Sequence, residues 1–181
     1  MGLLLAVSRI YLPRSVRVSR LLELFEATAD AFRRQTPFLD DMPFNRFLTE
    51  YALFTRDNAE KSIREGSEQE VRERLYSNAL RIGRSLRKEL GVRTQAEAMQ
   101  ACEVVYKAIK IEFHGDAEGL ISIPRCFFSS FYSSQVCRVI SGLDEGIIEG
   151  LSGGLKLDFS QRITEGHRCC VARLSAAGSP L

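Results

Sequence analysis

Five cysteines and two histidines carry most of the chemistry this chain could perform. Four of the cysteines, Cys126, Cys137, Cys169 and Cys170, fall in the C-terminal third, at what read as a strand exit, a helix start and a strand start. Such positions can converge at one edge of a small sheet. Three or four N, S or O donors there could hold zinc tetrahedrally, with Zn–S near about 2.3 Å. The candidate ligands are Cys126, Cys137 and Cys170. Against zinc, the chain has no Cys-x-x-Cys pair, and adjacent residues on a strand point to opposite faces. Cys137 has a second possible role. At a helix N-terminus the backbone dipole favours a thiolate, which would make it a nucleophile. A nucleophile needs a base, and His114 or His167 could serve if the fold brings one within reach. Cys126 is the other candidate thiol. The plain alternative is buried thiols without chemistry, the expected state of Cys102 inside an apolar helical stripe.

Other chemistries are excluded by their missing motifs. There is no glycine-rich phosphate loop, no Gly-x-Ser-x-Gly elbow and no His-x-x-x-His pair. Net charge is +2, too balanced to suggest nucleic acid. Residues 1–94 carry 17 Lys and Arg against 13 Asp and Glu, and the remainder 8 against 10, which reads as solvated helix faces. No apolar run approaches the roughly 18 residues of a membrane span. The segment MGLLLAVSRIYL is broken by Arg9 and reads as a docked leader rather than a signal peptide. A cytoplasmic, reducing location is expected, with free thiols and no bound cofactor.

The elements that must position these residues follow from periodicity. One helix is predicted over about 17–35. A second starts near Pro43, its aromatic face containing Phe47 and Tyr51. A third spans about 68–90, opened by a Ser67–Glu70 capping box and closed by Gly91. A fourth covers about 95–106, opened by a Thr94–Glu97 box. Ile109, Ile111 and Phe113 alternate with polar residues as a strand. A hairpin turn at Gly115–Gly119 leads to a second strand that ends at Pro124. Phe127–Ser134 has no clear period and is expected to fold over the sheet or line a cavity. A fifth helix, about 135–151, carries Gly142, Gly146 and Gly150 four apart. Each glycine costs up to about 1 kcal/mol in a helix interior, so a neighbour must lie very close to that face. Leu155–Ser160 and Cys169–Leu174 are the last two strands. The fold expected is mixed α/β of the α+β kind: N-terminal helices on a four-stranded antiparallel sheet, with the Gly-rich helix between strand pairs. Residues 1–66 read as a helical extension, 67–174 as the core and 175–181 as a tail.

The arrangement of 70–174 resembles the 4-vinyl reductase-type small-molecule-binding domains, which share their fold with core subunits of a vesicle-tethering complex. The matching features are the two strands up to Arg125-Cys126, Cys137, the Gly-spaced helix, the final strand pair, and Gly166 four residues before Cys170. The helix over 75–91 and the Thr94 capping box also match. The C-terminal pattern is closest to the L-2-amino-thiazoline-4-carboxylate hydrolase-like branch, onto which Cys126, Cys137, Asp144, Arg162, Gly166 and Cys170 align. Zinc-bearing sensors of the superfamily have a cysteine and a carboxylate where this chain has Arg162 and Phe159, so half of that ligand set is gone. Three readings follow. The first is a module binding a small aromatic or acyl molecule in an apolar pocket lined by Phe47, Tyr51, Phe127, Phe128, Phe131 and Tyr132. The second is a hydrolase-like enzyme opening a small cyclic C–N or C–S bond. It would use Cys137 or Cys126 as nucleophile, His167 or His114 as base, and Arg162 as carboxylate anchor. The third is a homodimeric assembly protein.

Overall fold

The computed structural model describes residues 13–37 and 42–176. The leader expected at 1–12 and most of the tail lie outside them. Among the described residues are five α-helices: α1 (Arg14–Ala31), α2 (Phe44–Arg64), α3 (Glu68–Leu90), α4 (Gln95–Ala108) and α5 (Ser134–Ser152). Four strands, β1 (Ile111–Gly115), β2 (Leu120–Cys126), β3 (Lys156–Gln161) and β4 (Cys170–Ser175), form one antiparallel sheet in the order β1-β2-β4-β3. The molecule is an α+β fold, as its sequence pattern predicts. The β2–α5–β3 crossover skips one position in the sheet, and β4 fills it.

The sheet is one-sided. Ile111, Phe113, Ile121, Ile123, Leu157, Cys170, Ala172 and Leu174 alternate along their strands and are all buried. Their neighbours Glu112 and Arg125 pair across the exposed surface at 2.6 Å. Leu21 and Phe25 of α1 and Leu48 of α2 belong to the same contiguous core as the strands, so the N-terminal helices and the sheet half share one interior.

The helix ends show which local signals operate. Thr94 Oγ1 accepts from Glu97 N at 3.2 Å, and the Glu97 carboxylate accepts from Thr94 N at 3.1 Å, completing the expected capping box. Gly91 ends α3 in the left-handed conformation (φ 66°), which suits a residue without Cβ. The Ser67 box does not form. Ser67 has φ −108° and ψ 10° rather than extended backbone, and its hydroxyl donates to Ser62 O instead. Helix α2 ends only three residues earlier, and the tight turn leaves no extended residue to act as the cap. Helix α1 begins directly after Pro13 and stops at Ala31, four residues short of the expected end, with Arg33 at φ 55°.

Pro124 does not end β2. Glu112 pairs with Arg125 and His114 with Ser122, so Ile123 and Pro124 together face Phe113 in a bulge. Pairing with β4 stops at Ile123, so the residue lacking an N–H sits where no partner needs one.

The glycine stripe of α5 packs on α3. A methyl group at Gly142 would lie 2.7 Å from Arg72 O, and one at Gly150 2.6 Å from Arg84 N. At Gly146 it would overlap the Tyr76 carbonyl oxygen, and at Gly83 on α3 the Ile147 carbonyl oxygen. Contacts advance together along both helices, so α3 and α5 run in the same direction with backbones touching. Arg72 Nη2, which donates to both Glu145 carboxylate oxygens at 2.5 and 2.6 Å, fastens one end.

Candidate functional site

With its glycine face against α3, α5 turns its opposite side inward. Cys137, Ile140, Leu143, Asp144 and Ile147, spaced by threes and fours, line a cavity of about 410 Å³. The other walls come from every layer. Helix α4 contributes Val104, Tyr106 and Ala108; α3 contributes Ile82, Leu86 and Leu90; α2 contributes Tyr51. The segment after β2 gives Cys126, Phe128 and Tyr132, and Ile163, Thr164 and Cys170 close the sheet side. At the α1 side stand Val16, Arg17, Arg20 and Leu24. Arg17 donates to Ala108 O at 3.1 Å and stacks 4.1 Å over Phe44, while Arg20 pairs with Glu23 and Glu89.

The tyrosines turn their hydroxyls away into protein. Tyr51 bonds Thr28 at 3.0 Å and Tyr132 bonds Thr55, so each offers the cavity mainly ring surface. Burial pushes both phenols well above their ordinary range.

The lining also carries Arg17, Arg20, Glu23, Glu89, Ser129 and Thr164; on the α5 wall its polar group is Asp144. Its Oδ1 accepts a 2.8 Å hydrogen bond from the Tyr106 hydroxyl. Burial pushes the carboxyl up to about 6, opposed by Tyr106 and by the Arg162 charge. The little surface it exposes is cavity wall. Arg162 itself is not in the lining. Its Nη1 donates to Ser141 Oγ at 2.7 Å and its guanidinium lies 4.1 Å over the Phe159 ring. It influences Asp144 through charge without pairing with it; its own ion pair is with Glu165, at 3.9 Å.

The cavity gathers three of the expected thiols, Cys126, Cys137 and Cys170. No group of three or more His, Cys, Asp or Glu among the described residues is placed to hold a metal ion. The expected activation of Cys137 is reversed. It sits at the fourth residue of α5, and burial raises its thiol despite help from Thr164 and Arg162. Cys126 is pushed up to about 12 by burial. Neither candidate base is there. His114 is exposed beside Glu112 on the outer sheet face, and His167 is exposed in the turn before β4. Cys102 is fully buried, as expected, and its thiol is raised well above normal.

Of the six expected pocket aromatics, Tyr51, Phe128 and Tyr132 reach the wall. Phe47 does not; it packs into the core 6.1 Å from Phe25. Phe127 and Phe131 do not either; they flank the short 3₁₀ turn Phe127–Ser130 and stay half-buried against the core, where their rings meet at 5.1 Å. The contributions of α1, α3 and Tyr106 escaped sequence reasoning. Asp144 left a signal: a carboxylate on the same stripe as Ile140, Leu143 and Ile147.

Comparison with known proteins returns no match of family model, curated protein or solved structure. The resemblance to the 4-vinyl reductase-type domains therefore rests on the motifs of 70–174. No helix among the described residues is long and apolar enough to cross a membrane.

Proposed function

We propose that this protein binds a small aromatic or acyl molecule in the cavity between α5, α4 and the sheet. The observation that carries this reading is the cavity itself. Its volume, about 410 Å³, falls in the size range of small-molecule sites, and its walls are mostly apolar and aromatic, with Asp144 and Tyr106 as the polar pair between α5 and α4 and charged side chains, Arg17, Arg20, Glu23 and Glu89, from α1 and α3. A cavity this large costs stability when empty, since its lining loses packing contacts. The family resemblance supports the same reading. Against the hydrolase-like alternative stand the raised Cys126 and Cys137 thiols and the distance of both histidines from the cavity wall.

Native mass spectrometry beside the denatured mass tests the proposal, followed by calorimetric titration of the apo protein with n-alkanols from butanol to octanol. An organic adduct lost on denaturation is expected. Affinity should rise about fourfold per methylene, the equivalent of about 0.8 kcal/mol each, until the cavity is filled. A clean apo mass together with no alkanol binding would sink it.

A further inference from the structure

We infer that the ligand carries a protonated amine, and that Asp144 Oδ2 receives it. This inference rests on the cavity being a ligand site and names the head group that site accepts.

The argument begins with what the Asp144 carboxylate lacks. Oδ1 is held by Tyr106 at 2.8 Å, which fixes the plane of the group. Oδ2 accepts no hydrogen bond from any described residue. A carboxylate oxygen turned to an apolar cavity without a partner is costly, because burying an unpaired charge loses its hydration. No group of the wall bonds it. Ile140, Leu143 and Ile147 are apolar, the Tyr51 and Tyr132 hydroxyls are engaged with Thr28 and Thr55, Arg17 is held by Ala108 O and Arg20 by Glu23 and Glu89, and Thr164 Oγ1, buried without a hydrogen-bond partner, does not reach it. The cation that acts on Asp144 is Arg162, whose guanidinium is spent on Ser141 Oγ and the Phe159 ring.

A ligand that completes the site must donate a hydrogen bond and, to recover most of the lost free energy, bring positive charge. A protonated amine does both, and charge-assisted bonds are roughly twice as strong as neutral ones. An alcohol donates without charge. A carboxylate would place like charges together and force one to protonate. The apolar walls accept the remainder of the molecule as an aromatic or alkyl body. The raised pKa of Asp144 agrees with a carboxyl whose counter-charge arrives with the ligand.

The test uses three probes of equal length, n-hexylamine, n-hexanol and n-hexanoate, titrated calorimetrically into the full-length apo protein at pH 7.5. Hexylamine is expected to bind at least about tenfold more tightly than hexanol, and hexanoate most weakly. Asp144→Asn should bring hexylamine to within about threefold of hexanol. The wild-type ranking alone decides the matter if the variant fails to fold. Equal binding of hexylamine and hexanol, or tighter binding of hexanoate, would overturn the head-group assignment and leave the apolar site standing. Binding of none of the three would overturn both.

Discussion

Helix α5 has two faces that obey opposite rules. On one, Gly142, Gly146 and Gly150 let the α3 backbone approach until no methyl group fits. On the other, Ile140, Leu143 and Ile147 line a cavity of about 410 Å³. Interiors are normally packed to the density of organic crystals, so the cavity side is the exception and the glycine side the extreme of the rule. The close seam makes α5 a fixed wall. A wall that could slide would collapse into the space beside it, as cavities do when their surroundings relax. The contrast therefore reads as a division of labour: the glycine face supplies rigidity, and the cavity face supplies room.

That comparison can be broken most directly at Gly146. Gly146→Val is expected to destabilise the protein by about 3 kcal/mol, despite valine's better helix propensity, because the new side chain meets Tyr76 O and Ala79 Cβ. Urea unfolding would measure it. A loss under about 1 kcal/mol would mean the helices can part, and the rigid-wall account would fail.

Asp144 sharpens the contrast from the open side. Its carboxyl is held at about 6 in the folded protein against 3.8 as its ordinary value, so folding favours the protonated form. The stability linked to that proton is present below pH 3.8 and lost as pH rises through 6. Asp144→Asn removes the loss. The apo variant should be more stable than wild type by about 3 kcal/mol at pH 8, with the difference shrinking to nothing near pH 3. Chemical denaturation across that range gives the curve. A difference independent of pH would place the cost elsewhere than in the buried charge.

The smallest effect is expected where there is space. Ile140→Phe enlarges a side chain on the cavity face, and should change stability by less than about 1 kcal/mol while weakening alkanol binding. A penalty as large as that of Gly146→Val would show that the cavity face is packed as tightly as the seam.

Much of this architecture was written locally. The periodicities of α1 to α5, the Thr94 box, the Gly91 terminus and the alternation of β1 and β4 each depend on residues within a few positions of one another, so they survive reading one segment at a time. The Ser67 box and the Pro124 strand end failed for one shared reason: the partner that decided each lay outside the segment. Ser67 was overruled by the nearby end of α2, and Pro124 was accommodated by a bulge that depends on both β1 and β4. Half the expected pocket aromatics missed the cavity: Phe47 because the core beside Phe25 took it, and Phe127 and Phe131 because a 3₁₀ turn, which has no signature of its own in the sequence, interrupts the segment.

The sequence by itself determined the five helices, four strands and the demand of three spaced glycines for a close neighbour, since backbone geometry and side-chain size act at short range. Only the tertiary structure decided that this neighbour is α3, that Cys137 is buried instead of activated, and that Asp144 meets Tyr106 at the wall of a cavity. Those outcomes depend on desolvation and on contacts between residues up to some seventy positions apart, such as Arg72 and Glu145, and no local pattern records them.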